Sequence, residues 1–302
     1  MAAAVGAVRE RPLQTMQTKD LTIHGLKQRI YTWGSPQRPK LFLLHGWLDT
    51  GAGFQFLAER LQDRFHCIAP DMRGYGKSGH ARNPLGYFFH EYVADAHALF
   101  AKLSPKEPIR LLGHSLGGMV ASVYAGSFPE RVAQLINVEG YLVPERPPQV
   151  APGRVRDWIE GLGKKRFRTF PSLKAFAARL RQANPHLTEE RAHFLAKYLA
   201  KRTARGFTMA ADPKHKLLEP YWLPLEAHYA FWGQIRARCL LVSAGKTEMA
   251  ARFGGADFWS AVREREARFP PGTETEQIPD CGHMVHHHRP ETLAEIVSKF
   301  LK

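Results

Sequence analysis

The chain has 302 residues, 44% of them hydrophobic, which is enough for one large domain or for a core domain with an insertion. No run of about 18 uncharged apolar residues occurs, so no membrane-spanning helix is expected. Three cysteines (Cys67, Cys239 and Cys281) form no CxxC and leave one unpaired in any disulfide scheme, which favours a reducing, cytoplasmic setting.

The formal charge of +15 is uneven. Residues 145–238 hold 19 Lys or Arg against 8 Asp or Glu, a balance of +11. Such a face attracts anions, so an anionic substrate and surface association with an anionic membrane are both left open. There is no ribonucleoprotein motif, zinc-finger spacing or basic zipper, so no specific nucleic-acid partner is expected. Nothing in the pattern bears on oligomeric state.

The first stretch, "MAAAVGAVRERPLQTMQTKD", has too short an apolar part for a secretory signal. Residues 1–19 read as a poorly structured extension, and Met16 is an alternative start to Met1. From about Leu21 the order begins, with "LTIHG" and "QRIYTWG" as a hairpin. "KLFLLHG" (40–46), "FHCIAPD" (65–71), "IRLLGHS" (109–115) and "AQLINVEG" (133–140) are apolar runs closed by turn residues, the form of strands buried on both faces. Between them "FQFLAERL", "HEYVADAHALFAKL" and "LGGMVASVYAGSF" suit helices. This alternation predicts an α/β fold with a mostly parallel sheet. It stops near Pro144. "GRVRDWIEGL", "SLKAFAARLRQA" and "TEERAHFLAKYLAKRT" are helical in type, the last with Thr188 as N-cap. The core pattern resumes with "ARCLLVSAG" (237–245) and "TETEQIPDCGH" (273–283), then a last helix in "PETLAEIVSKFL".

Three pieces carry chemistry. Gly113-His114-Ser115-Leu116-Gly117 lies between a strand and a helix, the context of a G-x-S-x-G turn that lifts a serine nucleophile to the top of a sheet. There the helix N-terminus favours developing negative charge. "LLHGWLD" (43–49) follows a buried strand, so the backbone N–H of Trp47, with that of Leu116, can face an oxyanion. A plainer reading ends the strand at Gly46 and sends Trp47 into the core. In "PDCGHMVHHHRPE", His283 follows a strand and a glycine and can reach Ser115 as general base. His286, His287 and His288 are successive and lack a carboxylate at ligand spacing, so they read as loop surface rather than as a metal site, with His286 packing inward.

"HGW", "DMRGYGKSG", "GHSLGG" and "GHMVHHHRPE" occur in the order shown by the α/β-hydrolase superfamily, and the resemblance covers about residues 20–302. More narrowly, "VEGYLVP" and "FWGQIRARCLLV" resemble the serine hydrolase-like proteins. The resemblance implies an eight-stranded, mostly parallel sheet with helices on both faces, built from residues 20–144 and 229–302. It also implies a helical cap at 145–228, inserted after the sixth strand. Asp71, Arg73 and Gly74 match a loop that supports the fold.

The remaining question is which acid orients His283. The usual family position follows the seventh strand, where "LLVSAGKTEMA" offers only Glu248. Some haloalkane dehalogenases and the related luciferases place a glutamate at the end of the sixth strand instead. Glu139 stands there, 24 residues after Ser115, and is favoured over Glu248. A serine elbow suits acyl transfer, unlike the aspartate of dehalogenases. The expectation is a hydrolase of small carboxylic esters, extending to lactones or thioesters, with Ser115, His283 and Glu139 as triad and with no metal or organic cofactor. The alternatives are C–C hydrolysis or perhydrolysis on the same triad, or a non-catalytic binding protein.

Overall fold

The protein is described from a computed structural model covering residues 16–253 and 257–302. The first fifteen residues of the expected extension lie outside it. Strand β1 (Gln17–Ile23) opens ahead of the expected boundary and pairs antiparallel with β2 (Leu26–Trp33). The turn between them holds His24 at φ 45° and Gly25 at φ 74°, the left-handed pair that a two-residue hairpin of this twist demands.

Next come β3 (Lys40–Leu44), α1 (Gln55–Leu61), β4 (His66–Pro70), α2 (Phe89–Leu103), β5 (Ile109–His114), α3 (Leu116–Ser127) and β6 (Val132–Val138). After the insertion, which begins beyond β6, the core closes with β10 (Arg238–Ala244), α8 (Phe258–Glu266), β11 (Glu274–Ile278), α9 (Val285–His288) and α10 (Pro290–Phe300). The order across the sheet is β1-β2-β4-β3-β5-β6-β10-β11. Pairing is parallel from β4 onward and antiparallel at β1–β2 and β2–β4.

The unbroken apolar runs follow from burial on both faces. In β3, Phe42 and Leu44 meet α2 and α3, while Leu41 and Leu43 meet α1 and α10. Each such side chain contributes about 1.5–3 kcal/mol on burial. The same alternation sends Leu111, Leu135 and Leu241 to one face and Leu112, Ile136 and Leu240 to the other. Cys67, Cys239 and Cys281 are free thiols, all buried.

The insertion consists of α4 (Ala151–Gly161), β7 (Thr169–Phe170), α5 (Leu173–Ala183), α6 (Glu189–Leu199), β8 (Ala200–Thr203), β9 (Gly206–Met209) and α7 (Leu225–Trp232). It is less purely helical than the sequence suggests. A three-stranded sheet of order β7-β9-β8 lies in it. The helix expected to continue through "AKRT" stops at Leu199, where the chain turns into β8. Thr188 caps α6 as expected, its hydroxyl accepting the Arg191 N–H at 3.2 Å. Phe176, Leu187, Leu195 and Leu199 give this segment a core of its own. No helix among the described residues is long and apolar enough to cross a membrane.

Candidate active site

Ser115 stands between the last residue of β5 and the first of α3, with φ 52° and ψ −119°. That region is sparsely populated for a non-glycine residue and costs about 1–3 kcal/mol. The flanking glycines explain how the turn closes. A Cβ on Gly117 would lie 2.1 Å from the Leu44 carbonyl oxygen, and one on Gly113 would lie 2.3 Å from that of Gly117. Only bare backbone fits there, and the elbow is thereby forced upward at the carboxyl ends of the strands.

His283 arrives from the loop after β11. Its Nε2 is 3.0 Å from Ser115 Oγ and its Nδ1 is 2.9 Å from Glu139 Oε2. Glu139 follows β6 directly, with φ 58° and its side chain fully buried. The carboxylate is not left bare. Oε1 accepts the Ala244 N–H at 2.8 Å, and Oε2 also accepts the Thr247 hydroxyl. Asn137, two residues earlier, ties this turn to α3 by donating to Ser122 Oγ at 2.7 Å and accepting the Gly140 N–H at 2.8 Å. Glu248 stands elsewhere on the same histidine: its Oε2 accepts the His283 backbone N–H at 2.9 Å. Burial pushes the Glu248 carboxyl up, but the His283 amide and ring outweigh it and leave it below the usual range. Of the two candidate acids, one touches the ring and the other holds the main chain.

The amides of Trp47 and Leu116 donate to no acceptor among the described residues. Leu116 is the first residue of α3, where an N–H has no intrahelical partner. The Trp47 side chain does not enter the core: it is 48% exposed, and its indole N–H donates to the His215 carbonyl at 3.0 Å. Trp47 and Ser115 both line a cleft of about 560 Å³.

A family model described as the alpha/beta hydrolase fold matches residues 39–290. The chain belongs to this family. Two curated relatives extend the likeness along the chain. A serine hydrolase-like protein of Danio rerio is 26% identical over 91% of this chain and 85% of its own length. Serine hydrolase-like protein 2 of Homo sapiens is 27% identical over 89% of each. Among solved structures, a thioesterase domain from the curacin biosynthetic pathway superposes with a TM-score of 0.83 at 24% identity, covering 95% of this chain and all of the other. E-2-(acetamidomethylene)succinate hydrolase gives 0.75 at 20% identity, covering 95% and 99%. At these identities the structures speak for the fold. Together the family and its serine hydrolase-like relatives support a hydrolase acting on a small molecule.

In this hydrolase the cleft is walled by both parts of the chain. Tyr75, Met119 and Leu142 come from the core, while Leu217, Glu219 and Trp222 come from the insertion. His215 of the insertion is stacked between Tyr75 (3.8 Å) and Tyr87 (3.9 Å). The histidine run departs from expectation. His286 packs inward as expected, but His287 and His288 are buried too rather than loop surface, and all three lie on the short helix α9. The burial of His286 has a partner that sequence spacing hides: its Nε2 is 2.9 Å from Asp49 Oδ2, across 237 residues. Thr247, His114 and Asp49 are the site neighbours that sequence reasoning missed. Of these only His114, inside the serine motif, carries a local signal.

Proposed function

We propose that this hydrolase cleaves carboxylic esters through an acyl-enzyme, with Ser115 as nucleophile, His283 as general base and Glu139 as the acid that orients it. The observation that carries the reading is the continuous relay from Glu139 through His283 to Ser115, with contacts of 2.9 and 3.0 Å, ending on a strained elbow. Ser115 Oγ attacks the acyl carbon as its proton passes to His283 Nε2. The imidazolium that forms is stabilised by the Glu139 carboxylate on Nδ1. The Trp47 and Leu116 amides receive the oxyanion, and each such donor is worth about 3 kcal/mol in a well-formed site. The tetrahedral intermediate collapses, the proton moves from His283 to the departing alcohol, and the ester bond breaks. Water, activated by the same histidine, then attacks the acyl-Ser115 and releases the acid.

Residues 145–228 act as a cap over a core formed by 20–144 and 229–302. The cleft lining is mostly apolar and aromatic, which suits an uncharged acyl or alcohol portion, with Glu145, Arg146 and Glu219 as the charged side chains in it besides Glu139, and the thioesterase description of one structural neighbour supports thioesters within the same class. Three buried free thiols fit a reducing compartment such as the cytoplasm. The test is treatment with a fluorophosphonate, mass spectrometry, and a panel of aryl esters of increasing chain length. The adduct is expected on Ser115 and is lost in Ser115→Ala. An adduct on another residue, or turnover undiminished in Ser115→Ala, refutes the proposal.

A further inference from the structure

We infer that Asp49, His286 and His114 are positioning residues: a buried anchor beneath the reacting atoms that locks the oxyanion loop, the serine elbow and the base loop to one another. The inference rests on the ester-hydrolase reading of the site above. Each member lies close in sequence to one group of that chemistry. Asp49 is two residues past Trp47, His114 immediately precedes Ser115, and His286 is three residues past His283.

In space the three converge. His286 Nε2 meets Asp49 Oδ2 at 2.9 Å, and both side chains are 1% exposed. The His114 ring lies 4.5 Å from that of His286 and 4.8 Å from that of His283. His114 Nε2 donates to the His283 carbonyl at 2.8 Å, which leaves Nδ1 as a bare lone pair. The His283 carbonyl also accepts the Val285 N–H at 2.9 Å, so the base loop and the start of α9 move together. On the other side, the Asp49 N–H closes a turn onto the Gly46 carbonyl at 3.3 Å, with Leu48 at φ 57°. The Trp47 amide is therefore aimed by a loop whose only buried charged side chain is held by α9. Burial alone would raise the Asp49 carboxyl, but His287 and His286 outweigh it and keep it ionised below the usual carboxylate range.

The same side chains resemble a metal set, since ligand atoms of Asp49, His114 and His286 lie within 4.8 Å of one another. The 2.9 Å contact argues for a shared proton. Bonds of about 2.0–2.2 Å to a tetrahedral ion would hold two ligand atoms roughly 3.3–3.5 Å apart.

Asp49→Asn keeps the shape and removes the charge. With an aryl ester, kcat is expected to fall on the order of 10²-fold, the scale of a misplacement near 1 Å. KM should stay within about twofold, because the variant does not touch the cleft lining. Inactivation by a fluorophosphonate should slow in parallel. Hydrogen exchange should rise together in residues 45–49 and 282–288. Val297→Ala, in α10 and away from the site, supplies a comparable loss of Tm and should keep its kcat. If Asp49→Asn does not fold, His114→Phe carries the test. It leaves the Asp49–His286 pair in place, removes the donor to the His283 carbonyl, and should lower kcat with KM held. The anchor is overturned if kcat and exchange in Asp49→Asn match the wild type, or if Val297→Ala loses as much kcat. It is also overturned if the wild-type protein carries a stoichiometric transition metal that Asp49→Asn lacks. Wild-type protein that leaves the phosphonate unreacted sinks the hydrolase reading instead. The exchange measurement needs no chemistry and still decides whether the two loops are coupled.

Discussion

A carboxylate at the end of a buried strand is held there by three donors: the Ala244 amide, the Thr247 hydroxyl and the His283 ring. Without them the desolvated charge would cost several kcal/mol. Glu139→Gln keeps the size and removes the charge, and steady-state kinetics should show kcat falling on the order of 10⁴-fold, as when an orienting acid is neutralised in serine proteases. Glu248→Gln removes the charge but keeps an acceptor for the His283 backbone N–H, and should cost less than about tenfold. The opposite ranking would hand the orienting role to Glu248. His228 makes the contrary case. It is fully buried, and neither ring nitrogen has a hydrogen-bond partner among the described residues. Burial holds its pKa down at about 4. His228→Leu should therefore raise stability by about 1–3 kcal/mol in urea at pH 7, the desolvation penalty it relieves. A loss of stability would mean that the imidazole has a partner in solution.

At the scale of elements, the elbow depends on β3, β5 and α3 approaching closely enough that Gly117 touches the Leu44 carbonyl. Gly117→Ala puts a methyl into backbone rather than into a yielding side chain, so the loss in urea should exceed the 1–3 kcal/mol usual for overpacking. A loss below 1 kcal/mol would show that α3 can slide. This turn was legible in the sequence because its requirements are local: a buried run, two glycines and a helix pattern within a dozen residues. The central strands were legible for the same reason, since burial on both faces writes unbroken apolar runs. The small sheet of the insertion was not. Its strands are two to four residues long, and "AKRT" continues the helical pattern of α6 without a break. The burial of His287 and His288 was equally hidden, because their partners, Asp49 for His287 and the Gly282 amide for His288, follow no pattern in the run itself. The choice between Glu139 and Glu248 lay between these cases. Both stand on loops at the same rim, and only the side-chain geometry separates ring from backbone.

For the molecule as a whole, charge sets two further expectations. The insertion and the start of β10 carry the +11 balance, and exposed charges act over about 8–10 Å at physiological salt. Added salt should raise KM for an anionic ester and barely move it for a neutral one. Equal responses would reduce the basic face to a solubility device. Acid should unfold the protein early. Burial depresses His215 and His287 to about 3 and His228 and His288 to about 4. The unfolded chain, with ordinary histidines near 6.5, then binds more protons than the folded one between those values and pH 6.5. Stability therefore rises with pH across that window and is lost on acidification, by up to about 1.4 kcal/mol per pH unit for each histidine. A Tm constant from pH 7 to pH 5 would contradict this. The left-handed backbone at Ser115 has a consequence on a longer timescale. Glycine would relax the Ser115 backbone by about 1 kcal/mol or more, so mutational drift in a lineage that no longer needed this hydroxyl would run toward losing it. Ser115→Gly should thus be more stable than the wild type in urea, whereas Glu139→Gly also leaves the buried Ala244 amide and Thr247 hydroxyl without an acceptor and should gain nothing net.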